Sequence, residues 1–168
     1  RSLDLNTLCA QLDYPKSGTM SEYLDDLIQS GFVTRDHTWL IKSGKPSALS
    51  QFRLSDNYLR FYLKYIQKNQ DRIIRTGFVP GWNAILGLQF ENLVLKNRKK
   101  IWAALGIKPE DIVADNPYFQ RKSTSKPGCQ IDYLIQTRFN TLFACEIKFS
   151  AHPIESSVIE EVKTKIER

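Results

Sequence analysis

Long hydrophobic runs are missing from this chain of 168 residues. No segment approaches the roughly 18–20 apolar residues that span a bilayer, and no charged-then-apolar leader opens the sequence. Low-complexity tracts are missing too. These absences argue against an embedded or secreted protein and for a globular chain of the cytoplasm, with no membrane partner and with enough apolar residues (42 %) for a core. Cysteine is scarce. Cys9, Cys129 and Cys145 are odd in number and form no C-x-x-C pair, which disfavours a disulfide framework or a structural zinc and reads as buried reduced thiols. The two histidines, His37 and His152, stand apart in polar surroundings and read as surface residues. A nucleotide-binding loop is also missing: around Ser43-Gly44-Lys45 the pattern G-x-x-x-x-G-K-[ST] needs Gly at 39 and Ser or Thr at 46, where Trp39 and Pro46 stand.

Basic charge is present but uneven. Lys and Arg number six against seven Asp and Glu over 1–56, thirteen against five over 57–128, and five against six over 129–168, within a net charge of +6. A basic zone beside near-neutral ones suits an anionic partner such as nucleic acid, and equally a solvated helical face.

Leucines at 5, 8 and 12 predict a helix over 4–13, and Tyr23, Leu24, Leu27 and Ile28 predict a second over 20–30 that stops at Gly31. Short apolar runs predict strands at 32–35, 39–42 and 51–54, with a turn at 43–46. Helix, turn, helix and hairpin is the winged-helix order. The second helix carries Glu22, Asp25 and Asp26, and no Lys or Arg occurs from Ser17 to Thr34, so packing against another domain suits it better than facing phosphates. Arg1 begins this motif abruptly, which suggests a piece of a longer protein. A helix from Asn57 should bury Tyr58, Leu59, Tyr62, Leu63 and Ile66 and expose Arg60, Lys64 and Lys68; 76–81 reads as a linker. A long helix over 82–105 should bury Phe90, Leu93, Val94, Ile101 and Leu105, with Glu91 at the border of that stripe. There Glu91 is either an edge residue reaching Arg98 or solvent, or part of a site. The stretch 107–116 reads as a connection, 118–121 as a strand, 122–127 as a loop, and Val158, Val162 and Ile166 as the apolar stripe of a last helix. The class is α/β (α+β).

Charge inside an apolar strand needs a reason, because burying an unpaired ion costs several kcal/mol or more. Strands at 128–136 and 141–149, joined by a loop of Arg138, Phe139 and Asn140, would set Asp132 opposite Glu146, on one face with Lys148. Cys129, Ile131, Tyr133, Cys145 and Ile147 would then be buried on the other face. Two opposed carboxylates repel unless a cation lies between them. A hard divalent ion such as Mg²⁺ (or Mn²⁺) would supply it and could act on a phosphate, whereas a cross-strand ion network relieved by Lys148 is the structural alternative.

Asp132 followed by Glu146-Ile147-Lys148 resembles the D…E-x-K core of the PD-(D/E)xK nuclease superfamily, in which a preceding helix often supplies another acid; Glu91 in Phe90-Glu91-Asn92 matches that position. Arg53-Leu54-Ser55-Asp56-Asn57-Tyr58-Leu59-Arg60-Phe61-Tyr62, Phe90-Glu91-Asn92, Gly128-Cys129-Gln130-Ile131-Asp132 and Glu146-Ile147-Lys148 together resemble the C-terminal half of a prokaryotic family of AAA-type ATPases. In that family an ATPase domain precedes a winged helix and a nuclease-like domain of unknown function. The resemblance implies a winged helix plus linking helix over 1–76 and a nuclease-like domain over 77–168, with an ATPase domain upstream. It implies Mg²⁺-dependent hydrolysis of nucleic acid, DNA above all, with Glu91, Asp132 and Glu146 as metal ligands and Lys148 serving the attacking water. Lys96, Arg98, Lys99, Lys100, Arg121, Lys122 and Lys126 would carry the phosphate backbone. The alternative is a non-catalytic module that docks DNA or the ATPase. Such folds also place a strand after the last helix, so that strand is expected to be missing or supplied by a second chain.

Overall fold

The computed structural model describes residues 2–77, 81–124, 127–150 and 152–166. It is a mixed α+β chain with two small antiparallel sheets. Two compact units are distinguished, Arg1–Asp36 with Ser50–Gln89 and His37–Leu49 with Phe90–Arg168. The division runs through a hairpin and through a helix.

In the first unit, α1 (Leu5–Leu12) starts at Asp4, whose side chain accepts from Thr7 N, and α2 (Gly18–Gln29) starts at Ser17, which accepts from Met20 N. Their inward residues Cys9, Met20 and Leu24 meet Phe52 in a small core that Leu5, Leu8, Ile28 and Val33 extend. The hairpin that follows is longer than the apolar runs predict. In place of three strands there are two, β1 (Val33–Leu40) and β2 (Lys45–Leu54). The polar stretch that reads as a break stays in the strand because Asp36 is buried against Arg53, whose Nε donates to Oδ2 at 2.8 Å.

The next helix is turned relative to its expected face. α3 (Asn57–Phe61) passes through a π-helical turn, Tyr62–Ile66, into α4 (Gln67–Thr76), and the extra residue of that turn shifts the phase of everything after it. Tyr65 is buried with Ile85, supported by Phe61, Ile66 and Ile73, whereas Tyr58, Tyr62 and Leu63 are exposed. Arg60, expected outside, is buried and gives its guanidinium to the carbonyls of Leu54 and Leu88. Gly77 caps α4 at φ 72°, a conformation glycine adopts freely. The expected linker lies partly at 78–80, outside the described residues.

The long helix expected over 82–105 is two: α5 (Trp82–Lys96) and α6 (Arg98–Ala104), separated where Asn97 leaves helical geometry and its side chain donates to Leu93 O. On α5 the buried positions include Asn92 and Leu95, and the expected Leu93 and Leu105 are exposed. After a 3₁₀ turn at Pro109–Asp111 comes β3 (Ile112–Gln120), far longer than the strand expected at 118–121. β3 pairs with β4 (Cys129–Thr137), which pairs with the short β5 (Leu142–Cys145); α7 (Ser157–Ile166) closes the described chain.

A bulge in β4 governs the faces of this sheet. Asn116 pairs with Leu134 but Tyr118 pairs with Ile131, so Asp132 and Tyr133 together oppose Pro117, which has no N–H to give to the ladder. Tyr133 and Ile135 therefore pack with Leu95, Cys145 and Ile147 on one side. Cys129 and Ile131, expected on that side, lie instead with Leu134 and Trp39. The hairpin tip belongs to this core: Trp39 Nε1 donates to Gln136 Oε1 at 2.6 Å, and Gln136 Nε2 donates to Ile41 O at 2.8 Å. At Gly44, φ is 66° and an added Cβ would lie 2.5 Å from a Val113 methyl, so the tip requires glycine there.

Candidate active site

The site rests on the turn between β4 and β5. Thr137 N donates to Thr141 O at 3.0 Å, Asn140 N donates to Thr137 O at 3.1 Å, and Asn140 takes φ 57°, which asparagine tolerates better than most residues. The resulting three-residue loop fixes the register that pairs Tyr133 with Cys145, Leu134 with Ala144 and Ile135 with Phe143. It is the odd-length loop expected from sequence. The ladder then stops. β5 ends at Cys145 rather than near 149, and Glu146, Ile147 and Lys148 continue without strand pairing. At the position where the next ladder bond would form, the Asp132 side chain substitutes for backbone: Oδ2 accepts from Ile147 N at 2.9 Å.

Glu146 is the centre of the charge cluster. Its side chain is only 7 % exposed, and both oxygens are occupied by ammonium groups, Oε1 by Lys148 Nζ at 3.0 Å and Oε2 by Lys165 Nζ at 2.7 Å. Lys148 also reaches Glu161 Oε2 at 3.2 Å. Lys165 and Glu161 come from α7, whose last turn is held to the start of β4 by Cys129 Sγ donating to Lys165 O at 3.2 Å. This placement revises the expected stripe of α7. Val158 and Val162 are half-buried, but Ile166 is 58 % exposed, and Lys165 turns inward because the carboxylate of Glu146 draws it there.

These contacts separate the two acids electrostatically. Burial pushes the Asp132 carboxyl above its ordinary range; the Ile147 N–H draws it back, the Glu146 charge raises it further, and Lys165 and Lys148 lower it. Burial also pushes Glu146 upward, but the hydrogen bonds and charges of Lys165 and then Lys148 outweigh it and hold Glu146 below the usual range. The hydrogen bond to Glu146 raises Lys148, against some desolvation and with help from Glu161. Lys148 is thus an ammonium at neutral pH, a hydrogen-bond donor and not a base.

Among the described residues Glu91 does not complete a three-acid metal site with Asp132 and Glu146. It is half-buried on α5, where Asn92 and Leu95 take the fully inward positions. Among the described residues no three His, Cys, Asp or Glu side chains converge well enough to hold a metal ion. The arrangement is three acids, Asp132, Glu146 and Glu161, and two lysines, Lys148 and Lys165. Mg²⁺ is commonly held by one or two carboxylates with water completing the shell, and Asp132 with Glu146 fits that donor set. Asp132 Oδ1 accepts no hydrogen bond among the described residues, and the oxygens of Glu146 already bind cations.

The remaining expected residues divide. Lys96, Lys99, Lys100, Arg121 and Lys122 are exposed. Lys126 lies outside the described residues. Arg98 is committed internally: Nε donates to Leu95 O at 2.9 Å, and one terminal nitrogen donates to Asp115 O at 2.7 Å and Asn116 Oδ1 at 3.1 Å. It belongs to a network in which Trp102 Nε1 donates to Tyr133 Oη at 2.7 Å and Tyr133 Oη donates to Asp115 Oδ2 at 2.8 Å. Burial and the Asp115 hydrogen bond both push that tyrosine well above its ordinary range.

Sequence reasoning missed Lys165 and Glu161. The one available signal was their four-residue spacing on α7, which reads equally well as a surface pair. No helix among the described residues is long and apolar enough to cross a membrane. No family model, curated protein or solved structure matches this chain.

Proposed function

We propose that the chain carries a Mg²⁺-dependent phosphodiesterase for nucleic acid, built on a PD-(D/E)xK-like sheet with a partial winged helix before it. The observation that carries the proposal is the meeting of Asp132, Glu146 and Lys148 where β4 and β5 part, with one acid raised and the other lowered in pKa. Cross-strand carboxylates are unfavourable in a purely structural sheet. Asp132 and Glu146 would hold the ion, which when bound would offset phosphate charge and acidify a water. Lys148, kept charged by Glu146, would donate to the attacking water or to a phosphate oxygen. The exposed Lys96, Lys99, Lys100, Arg121 and Lys122 would take the backbone of DNA or RNA, with Arg98 positioning β3 rather than touching the strand.

Labelled DNA and RNA incubated with Mg²⁺ or Mn²⁺ test this reading. Wild type should cleave at least one of them, and Asp132→Ala should lose at least about a hundredfold in rate. Equal inertness of wild type and variant on every substrate refutes catalysis.

A second reading has its own support. Both oxygens of Glu146 are already neutralised by lysines, and among the described residues no three acids converge as a metal site, which suits a non-catalytic module that docks nucleic acid or an upstream ATPase domain. Binding that falls steeply with salt, yet is indifferent to chelator and to Asp132→Ala, would select it. A second chain completing the sheet beside the short β5 is compatible with either reading.

A further inference from the structure

We propose that Lys165 is a built-in competitor for the metal, occupying Glu146 Oε2 until an anionic substrate draws its ammonium away. The inference rests on the metal reading above and adds a residue and a coupling to it. Three observations support it. Lys165 Nζ makes the shorter of the two lysine contacts to Glu146, 2.7 Å against 3.0 Å for Lys148. Among the described residues Glu146 is its one acidic partner, whereas Lys148 has both Glu146 and Glu161, so there Lys165 has one anchor to give up and Lys148 has two. The Lys165 side chain also keeps 32 % of its surface exposed at a nearly closed carboxylate, which lets it reach outward without unfolding α7.

Two cations sharing one carboxylate oxygen repel strongly at such distances. A divalent ion therefore binds Glu146 at the expense of the Lys165 contact. A phosphodiester beside the site offers Lys165 a replacement anion, and ammonium groups are good phosphate partners. Release of Oε2 then favours the ion, so substrate and metal reinforce each other by linkage, each raising the other's affinity by the same factor. Lys165 is a positioning residue in this scheme: it acts on the site through Glu146.

Calorimetric titration of Mn²⁺ into the intact chain tests the proposal, with wild type, Lys165→Met and Lys165→Arg compared at one salt concentration. Lys165→Met should bind Mn²⁺ about tenfold more tightly than wild type, a difference of about 1.4 kcal/mol. Lys165→Arg, which keeps the charge, should stay close to wild type. A short single-stranded phosphorothioate oligonucleotide should tighten Mn²⁺ binding to wild type and do so much less for Lys165→Met. Equal Mn²⁺ affinities for wild type and Lys165→Met overturn the competition while leaving the metal reading intact. Absence of Mn²⁺ binding to all three folded proteins overturns both.

Discussion

Replacing Glu146 by glutamine removes one charge, takes from Lys165 the carboxylate it pairs with and leaves Lys148 with Glu161. In the wild type the carboxylate, 7 % exposed, accepts from Lys148 at 3.0 Å and from Lys165 at 2.7 Å. Hydrogen bonds to a charged group contribute roughly 1.5–3 kcal/mol each when sheltered. Both lysines are about one-third exposed, so solvent screening reduces each to about 1 kcal/mol. Glutamine keeps one acceptor oxygen but turns an amide N–H₂ toward the other ammonium. The expected loss is about 2 kcal/mol, which for a chain of this size is a fall in Tm of roughly 4–8 °C. Urea denaturation at pH 7 with chelator present measures it. The pH dependence has a definite sign: because Glu146 is held below its ordinary range, its contribution is full above the unfolded glutamate value of about 4.3 and is lost as pH falls through the lower folded value. Wild type and Glu146→Gln should therefore converge in acid, and high salt should narrow the gap at pH 7. A difference at pH 7 below about 0.5 kcal/mol, within the scatter of ordinary surface substitutions, would refute the picture of Glu146 as the hub.

The other acid should respond with the opposite sign. Asp132 is raised by burial, so its ionised form is penalised by folding and the associated stability is lost as pH rises through the folded value. Asp132→Asn keeps an oxygen for Ile147 N and should stabilise the metal-free chain by about 0.5–1 kcal/mol at pH 7. That gain should vanish below the unfolded aspartate value of about 3.9; a destabilised variant at pH 7 in the same urea titration would contradict it. Tyr133→Phe leaves Trp102 Nε1 and Asp115 Oδ2 without the hydroxyl that links them, at a fully buried position, and should cost about 2 kcal/mol by denaturation. A loss under about 0.5 kcal/mol would mean that water replaces the hydroxyl and that the network does not hold α6 to the sheet.

Much of the site was legible because it depends on parity. Side chains alternate along a strand, and a three-residue turn of Arg138, Phe139 and Asn140 brings the Asp132 and Glu146 positions toward each other whatever else the chain does. The helices α1 and α2 were legible because their caps and apolar spacing are local. Where reading failed, a distant partner had changed the meaning of a residue. Asp36 reads as a loop residue until Arg53 pairs with it, and Arg60 reads as a surface cation until the carbonyls of Leu54 and Leu88 claim it. Arg98 reads as a phosphate ligand until Asp115 and Asn116 surround it.

The sequence by itself determined that two acids and a lysine would meet at the end of a hairpin, because turn length and strand period are properties of neighbouring residues. Only the tertiary structure decided what surrounds them. The bulge opposite Pro117 sends Ile131 and Tyr133 to different faces, and α7 brings Lys165 onto Glu146 from nineteen residues away. A burial-driven ion pair of that kind depends on the energy of a whole packed arrangement, in which no local pattern signals the partner.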